Sequence, residues 1–297
     1  MIVGVNRNRA IAALLLFVLM AQTSAIPMLV KRVGVPAFAE EVFRAEVEKN
    51  QTQDAGDQLS GDAMNLLQVE ILRDAQTAPV CADKRILIYH THTYEAYEPT
   101  PEHPYKALEK WRTDDAEHNV TAIGDMLTAA LHALGFEVVH DRTAFEPPSH
   151  DTAYERSLAM LDGRAAKGEK YDLYIDLHRD AISASSTIKR TVTIGGEKVA
   201  RFMVVIGKGT TGGYVQKPNW EANLAIAECI TASLNEQCES LARDVKIKTG
   251  RFNQHIADQC VLIECGMNCN TLEEVQNGIP YLAQAIASVF AQEKSAE

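Results

Sequence analysis

The sequence predicts an α/β fold in which helices flank both faces of a mixed, largely parallel β-sheet. Short apolar runs that are typical of buried strands alternate along the chain with longer amphipathic stretches that are typical of helices. This alternation favours parallel pairing, because each helix returns the chain to the same edge of the sheet. A polar excursion at residues 183–198, which contains Gly195 and Gly196, interrupts the alternation and predicts a hairpin. We therefore expect a mixed sheet.

The predicted strands and helices follow one another in a regular order. The strands are residues 85–89, 136–140, 171–177, 201–206, 245–248 and 260–264. The helices are residues 114–134, 151–166, 218–241 and 271–292. In the third helix, apolar residues three, four or seven positions apart form one face: Trp220, Leu224, Ala227, Leu234, Cys238 and Leu241. Gly135 predicts a C-cap for the first helix, and Thr271 with Glu274 predicts a capping box for the last.

Residues 1–32 have the pattern of a membrane anchor. Residues 10–30 are uncharged and mostly apolar, and a helix of that length spans roughly 30 Å, the thickness of a bilayer core. Basic residues flank this stretch on both sides: Arg7, Arg9, Lys31 and Arg32. A cleaved signal peptide is the alternative, because Thr23 and Ala25 fit a small-residue cleavage site. Both interpretations send the rest of the chain across a membrane.

Two further regions differ in composition. Residues 33–80 carry nine acidic and three basic side chains, which is typical of a solvated spacer. Residues 81–297 contain the predicted strands and helices and form the predicted catalytic domain. The whole chain has a formal net charge of -11. This charge argues against nucleic acid as a partner, because phosphate binding requires clustered Lys and Arg.

Three of the predicted strands end in side chains that can bind a metal. The first continues into "HTHTYE", which supplies His90, His92 and Glu95. The third continues into "DLHRD", which supplies His178, and the last contains "IECG", which supplies Glu264. Functional groups in an open α/β sheet gather at the carboxyl ends of the strands. We therefore expect these side chains to lie close together at one edge of the sheet.

The chemistry of this group predicts a zinc hydrolase. Catalytic zinc sites commonly use three protein ligands and leave the fourth position to water, and two histidines with a glutamate are one known set. His92 and Glu95 have a His-x-x-Glu spacing that lets one turn present both, and His178 is the predicted third ligand. Glu264 is the predicted catalytic carboxylate, which takes a proton from the attacking water and passes it to the leaving nitrogen.

Residues next to the predicted ligands receive supporting roles. His92 lies past the end of the apolar run and has the right spacing to Glu95, so His90 is interpreted as a supporting or packing residue. Asp176 is expected to share a strand face with His178 and to orient it. Four residues before the last strand form a polar cluster that either binds substrate or satisfies buried backbone groups: Arg251, Asn253, Gln254 and His255. Trp220 is expected to pack in the core rather than to stack on a sugar.

Seven segments occur in the order in which the stage II sporulation protein P family presents its motifs, and the chain resembles that family from about residue 85 to residue 290. The segments are "HTHTYEAY", "RTDDAEHNV", "YERSLAML", "DLHRDAI", "KPNWEANLAIA", "KTGRFNQH" and "LIECGMNCNTLEE". The resemblance implies a zinc-dependent cell-wall hydrolase with the fold of the third family of N-acetylmuramoyl-L-alanine amidases. It also implies His92, Glu95 and His178 as zinc ligands and Glu264 as the catalytic carboxylate.

The resemblance further implies a substrate, a partner and a location. Members of the family cleave the amide between N-acetylmuramic acid and the L-alanine of the peptidoglycan stem peptide, and also peptide cross-links, during engulfment in sporulation. The implied partner is the membrane-anchored transglycosylase, stage II sporulation protein D. The chain is then a single-pass protein of the cell membrane, and its catalytic domain is extracytoplasmic, in the intermembrane space of the sporangium.

Three alternatives stay open at the level of the sequence. Wider amidase relatives place their ligand glutamate at the head of the first long helix, where this chain has Glu117. Glu117 is therefore the alternative to Glu95. A zinc carboxypeptidase would use the same order of His-x-x-Glu, distant histidine and later glutamate. A membrane-tethered wall-binding protein without catalytic activity is the third interpretation.

Overall fold

The computed structural model describes residues 83–183, 185–210 and 220–293 of the 297-residue chain. The predicted membrane segment at residues 1–32 and the predicted spacer at residues 33–80 lie outside the described residues. Among the helices that are described, none has the length and hydrophobicity needed to cross a membrane.

The described residues form one large sheet and one separate hairpin. The strands are β1 (Arg85–Tyr89), β2 (Glu137–His140), β3 (Leu173–Asp180), β4 (Thr191–Ile194), β5 (Glu197–Ala200), β6 (Phe202–Gly207), β7 (Lys246–Lys248) and β8 (Cys260–Met267). The large sheet has the order β2-β1-β3-β8-β6-β7, and β4 pairs with β5. The first four strands in that order are parallel, whereas β6 is antiparallel to β8 and parallel to β7. This confirms the predicted mixed, largely parallel sheet and the predicted hairpin.

The helices lie between the strands in the predicted order. The α-helices of the described residues are α1 (Val120–Ala133), α2 (Ala153–Ala166), α3 (Trp220–Gln237), α4 (Leu272–Gln276) and α5 (Ile279–Glu293). Short 3₁₀-helices occupy His150–Thr152 and Gln254–Ile256. The predicted capping box is confirmed, because Thr271 Oγ1 accepts the N–H of Glu274 and the Glu274 side chain reaches back to the Thr271 N–H.

Alternate residues of β1 point to opposite faces of the sheet. Ile86 and Ile88 join the larger core, which α1, α3 and α5 cover, and Leu87 and Tyr89 pack with Leu161 of α2 on the other face. The four β1 side chains are fully buried, and burial of an apolar side chain of this size contributes about 2 kcal/mol. Helices therefore flank both faces of the sheet, as predicted.

Several helix bounds differ from the prediction: α2 starts at Ala153 rather than at residue 151, and α3 ends at Gln237 rather than at residue 241. Two further differences have a visible cause. The first helix starts at Val120 rather than at residue 114, because Asn119 Oδ1 accepts the N–H of Thr121 and caps the helix there. The last helix divides into α4 and α5 at Gly278. A Cβ atom at Gly278 would lie 2.6 Å from the Phe202 ring, so this position requires glycine where the chain passes the core.

The strands that carry the predicted site residues are neighbours. Tyr89 of β1 pairs with Asp176 of β3, and His178 of β3 pairs with Glu264 of β8. Because all three strands are parallel, their carboxyl ends meet at one edge of the sheet. The register between β3 and β8 shifts after His178, where Asp180 pairs with Met267.

Candidate metal centre

The structure brings the four predicted site residues together at the carboxyl edge of the sheet. The ring of His92 lies edge-on to the ring of His178, with 5.3 Å between the centroids. Glu95 Oε2 lies 3.3 Å from His178 Nδ1. Glu264 is the register partner of His178 on the adjacent strand. Two imidazoles and two carboxylates from three separate parts of the sequence therefore share one small volume.

His178 is held between two buried carboxylates. Its Nε2 lies 2.8 Å from Asp176 Oδ1, while its Nδ1 faces Glu95. Asp176 also accepts the N–H and the hydroxyl of Thr91, at 2.8 Å and 2.7 Å. Burial would lower the pKa of His178, but the charges of Asp176 and Glu95 outweigh it and raise the pKa well above its usual value. The site therefore stabilises a positive charge at this position.

Glu95 is fixed by the backbone as well as by His178. Its N–H donates to the carbonyl of His92 across one turn, at 3.2 Å, as the His-x-x-Glu spacing predicts. Glu95 Oε2 accepts the N–H of Arg179 at 3.1 Å. Burial would raise the pKa of Glu95, but His178 and Arg179 lower it to about 2. The side chain is therefore an ionised carboxylate despite its burial.

His92 has a carboxylate partner that the sequence did not reveal. His92 Nδ1 lies 3.3 Å from Glu146 Oε1. Glu146 is 3% exposed, its Oε2 accepts the N–H of Tyr94 at 2.7 Å, and Arg112 Nη2 lies 2.9 Å from its Oε1. Glu146 follows no predicted strand and has no spacing to the histidines, so no pattern in the sequence pointed to it.

His150 forms a second group with the same two residues. Its ring stacks on that of His92, with 4.0 Å between the centroids. Among the described residues, His92, Glu146 and His150 offer ligand atoms that all lie within 4.8 Å of one another. His150 is exposed, and Glu146 is buried. Two sets thus share His92: in the described part of the chain the set with Glu146 and His150 has its ligand atoms within that distance, whereas the set with Glu95 and His178, which was predicted, is not among the groups that meet it.

Glu264 is a buried carboxyl, and one of its two oxygens lacks a hydrogen-bond donor among the described residues. It is 8% exposed, and its Oε2 has no hydrogen-bond partner in the described part of the chain. Burial raises the pKa of Glu264 to about 8, with further contributions from the charges of Glu95 and Asp180 and an opposing one from His178. A carboxyl in such an environment can accept a proton and release it again near neutral pH.

Two contacts join the turn of Glu95 to the strand end of Glu264. The hydroxyl of Tyr97 donates to the carbonyl of Cys265 at 3.0 Å, across 168 positions of sequence. The N–H of Glu98 donates to the carbonyl of Asn270 at 2.8 Å. Tyr97 is 1% exposed, so the first contact is shielded from water.

The structure separates His90 and Glu117 from the predicted ligands. His90 is fully buried, its Nδ1 lies 2.9 Å from the carbonyl oxygen of Leu177, and its Nε2 lies 2.7 Å from His140 Nε2. Both ring nitrogens are therefore engaged, in agreement with the predicted supporting role. Glu117 is exposed in the turn before α1, and no contact among the described residues joins it to His92 or His178.

The polar cluster before β8 mainly satisfies buried backbone groups. Gln254 Nε2 donates to the carbonyl of Val205, and Gln254 Oε1 accepts the N–H of Gly207. Asn253 Nδ2 donates to the carbonyl of Tyr154 and to Ser157 Oγ. Of the two open interpretations, backbone satisfaction therefore holds for these two residues. Trp220 packs against the larger core, as predicted.

Two hollows lie near this edge of the sheet. The smaller, of about 260 Å³, borders the His92 side and is lined by Tyr94, Leu108, Arg112, Glu146 and His150 among others. The larger, of about 680 Å³, includes Arg201, Met203, Arg243 and Lys246 in its lining. Met203 is the register partner of Glu264. Of the two, the smaller hollow is the one lined by residues that contact His92, namely Glu146 and His150.

Comparisons with known proteins identify the family. The family profile described as stage II sporulation protein P (SpoIIP) matches residues 27–287. The stage II sporulation protein P of Bacillus subtilis (strain 168) is 29% identical over 268 residues, which are 85% of this chain and 58% of that relative. The chain thus spans less than two thirds of the length of that relative.

Two solved structures of amidases are also similar. The CwlD amidase from Clostridioides difficile has a TM-score of 0.45 and 13% identity, covering 72% of this chain and all of that one. The N-acetylmuramyl-L-alanine amidase Ami1 from Mycobacterium smegmatis has a TM-score of 0.44 and 13% identity, with the same coverage. The assignment itself rests on the sequence profile, which matches most of the chain and includes the segments that carry His92, Glu95, His178 and Glu264. The chain belongs to the stage II sporulation protein P family.

Proposed function

We propose that the chain is a zinc-dependent hydrolase that cleaves the amide between N-acetylmuramic acid and L-alanine in peptidoglycan. The convergence of His92, Glu95 and His178 beside the buried carboxyl of Glu264, whose Oε2 has no hydrogen-bond partner among the described residues, is the observation that carries the proposal. Two histidines and a glutamate are a known ligand set of catalytic zinc, and a separate carboxylate is the usual proton carrier of such sites.

The residues present fit a zinc ion. His178 has one ring nitrogen at Asp176, and His92 has one at Glu146. Histidine ligands of metals commonly have such a carboxylate at the second nitrogen, which fixes the ring and its tautomer. The charge of Glu95 contributes to the raised pKa of Glu264, and a cation between the two carboxyl groups would relieve this repulsion. His92, Glu95 and His178 would hold the ion.

The set of His92, Glu146 and His150 is less suited to a cation. The Glu146 carboxylate already accepts the N–H of Tyr94, and the guanidinium of Arg112 lies 2.9 Å from its second oxygen. A positive charge at that distance opposes the binding of a metal ion to the same carboxylate. We therefore assign Glu146 to the orientation of His92, and we assign His150 to the rim of the site.

Individual residues of the chain then have separate roles in the proposed hydrolysis. Zinc, when bound, polarises the scissile carbonyl and increases the acidity of the attacking water. Glu264 accepts a proton from that water as its oxygen attacks the carbonyl carbon. Glu264 then donates the proton to the amide nitrogen as the carbon–nitrogen bond breaks. Asp176 and Glu146 keep the imidazoles of His178 and His92 in place during both steps.

The hollow beside His92 offers room for part of an extended substrate. The scissile amide of peptidoglycan has a glycan strand on one side and a stem peptide on the other, and both have to lie along the carboxyl edge of the sheet. From the family we further propose a single-pass anchor in the cell membrane and an extracytoplasmic catalytic domain. The proposed setting is engulfment during sporulation, with stage II sporulation protein D as partner and peptide cross-links as additional substrates.

The products released from purified cell wall test this function. We expect the purified chain with zinc to release stem peptides that begin with a free L-alanine amine, and we expect a strong chelator to stop this release. Release of only a carboxyl-terminal residue would instead indicate a carboxypeptidase. Binding to the wall without any released product would indicate a non-catalytic wall-binding protein.

A further inference from the structure

A chain of hydrogen bonds runs behind the candidate metal centre and joins four elements of the fold. Asp125 of α1 contacts His140 at the end of β2, with 3.0 Å between Oδ1 and Nδ1. His140 Nε2 lies 2.7 Å from His90 Nε2, directly after β1. His90 Nδ1 lies 2.9 Å from the carbonyl oxygen of Leu177 in β3. The His90 side chain is fully buried and that of His140 is 6% exposed.

The chemistry of these groups decides which of them donates in each hydrogen bond. A carbonyl oxygen can only accept, so His90 Nδ1 donates to Leu177. A neutral His90 then has a lone pair at Nε2, and His140 Nε2 must donate to it. Two neutral imidazoles supply only two hydrogens for these three contacts, so the contact between His140 Nδ1 and Asp125 Oδ1 requires one further proton, which these two groups share. His90 is thereby held in the tautomer that carries its hydrogen on Nδ1.

This series of hydrogen bonds ends next to both candidate ligands, His92 and His178, without contacting either of them. His90 precedes His92 by two positions, and Leu177 directly precedes His178. The hydrogen bond between His90 and Leu177 therefore joins the two backbone segments that present the ligand imidazoles. It continues the β1–β3 ladder, in which Tyr89 and Asp176 are the last paired residues.

Gly124 is independent evidence that the fold leaves space for the imidazoles of His90 and His140. It lies inside α1, where glycine costs about 1 kcal/mol relative to alanine. A Cβ atom at this position would lie 2.5 Å from His140 Nε2 and 2.7 Å from His90 Nε2. The helix therefore gives up local stability at a point where any larger residue would push the two imidazoles apart.

We propose that His90, His140 and Asp125 are positioning residues that fix the spacing of the His92 and His178 ligands. The proposal rests on the zinc assignment above, and it adds residues on α1 and β2, elements that carry no ligand. His140 and Asp125 act through His90 and not on the substrate. Loss of an orienting partner of a metal ligand typically lowers metal affinity or activity by about 10–100-fold, and we expect an effect in that range on zinc affinity and kcat with little change in KM.

A matched pair of substitutions at His140 tests the proposal. The amide nitrogen of glutamine lies near the place of His140 Nε2 and can donate to His90, whereas that of the shorter asparagine lies near Nδ1 and cannot. Both are neutral and polar. We expect His140→Gln to retain zinc affinity within a few-fold and His140→Asn to lose about 10–100-fold, as measured by competition with a chelating indicator. Circular dichroism and thermal unfolding check that both variants fold.

Gly124→Ala is a second test that does not alter a polar group. Alanine favours the helix by about 1 kcal/mol, but its Cβ would lie 2.5 Å from His140 Nε2, so the readout is the zinc affinity of a variant shown to be folded, and a loss of affinity would support the positioning role. Nitrogen NMR of the imidazole side chains gives a direct signature, since His90 should carry its proton on Nδ1 in the wild type.

The outcomes separate this proposal from the proposed hydrolase function. Equal zinc affinity in the wild type, His140→Asn and Gly124→Ala would overturn the positioning role, and so would equal losses in His140→Gln and His140→Asn, which indicate packing alone. A wild type that binds zinc but releases no stem peptide would contradict the hydrolase function, and the affinities and the NMR signature would still decide the role of His90 and His140.

Discussion

His178 and Glu264 are paired directly across the parallel strands β3 and β8, so a candidate metal ligand and the candidate proton carrier lie side by side on one face of the sheet. The backbone ladder sets their separation, and neither depends on a long loop for its position. This relationship makes the two roles separable by mutation, because a change at Glu264 leaves the strand that carries His178 intact.

Glu264→Gln should abolish most of the hydrolysis while zinc stays bound. Glutamine has nearly the same shape but cannot take up a proton from water, and loss of a general acid–base typically costs about 10²–10⁴-fold in rate. Product release from purified wall and zinc content measured on the same sample check this. Unchanged hydrolysis in the variant would remove Glu264 from the mechanism.

Glu95→Gln and His178→Ala should each remove zinc from the chain. Both side chains are buried within the candidate centre, and each contributes a ligand atom to the proposed set. The loss of affinity should exceed the roughly 10–100-fold that follows from loss of an orienting partner. Glu117→Gln is the control, because Glu117 is exposed in the turn before α1. If Glu117→Gln lost zinc and Glu95→Gln retained it, Glu117 would be the ligand in place of Glu95.

His150→Ala and Glu146→Gln distinguish the two sets of residues that share His92. If Glu146 only orients His92, Glu146→Gln lowers zinc affinity about 10–100-fold and His150→Ala leaves it nearly unchanged. A titration with zinc in the presence of a chelating indicator measures both. Abolition of zinc binding by His150→Ala would instead make His92, Glu146 and His150 the metal centre.

The contact between Asp141 and Arg164 should make stability depend on pH. Asp141 Oδ2 lies 2.6 Å from Arg164 Nη2 of α2. Burial raises the pKa of Asp141, but hydrogen bonds from Thr143 and Arg164 outweigh it, and the pKa is lowered. A carboxyl whose pKa is lower in the folded state stabilises the fold above its unfolded pKa of about 3.9, and this contribution is lost as the pH falls through the folded value.

Asp141→Asn should therefore lower the free energy of unfolding by about 1–2 kcal/mol at pH 7, the range for a hydrogen bond to a charged group. The difference from the wild type should shrink once the pH falls below about 3.9. Urea unfolding of both proteins at pH 7 and at pH 3 measures it. A difference that is the same at both values would show that the carboxylate charge contributes nothing.

The features that follow from local pattern could be predicted from the sequence. β1 has the predicted bounds because its five residues are one short run whose last four side chains are all buried, which is the pattern of a strand covered on both faces. The capping box at Thr271 depends on two residues three positions apart. The juxtaposition of His92, Glu95, His178 and Glu264 follows from one rule, that parallel strands end at the same edge of a sheet.

Features that depend on distant contacts could not be predicted in this way. Glu146 lies in an irregular loop, and only the fold brings it to His92. The break before α5 arises from the approach of Gly278 to Phe202, which are neighbours in space only. In the sequence, Gly124 inside α1 is only a residue that weakens a helix. The structure shows why it is needed, because the rings of His90 and His140 lie against it.

The hydrogen bond from Tyr97 to the carbonyl of Cys265 bears on the biosynthesis of the protein. Glu95 is synthesised early. Its turn, however, is held by the hydrogen bond from Tyr97 to Cys265 of β8, which is synthesised 168 residues after Tyr97. A nascent chain that lacks β8 therefore has neither Glu264 nor this fastening for Glu95. The candidate metal centre is therefore completed only after the last strand has been synthesised and has entered the sheet.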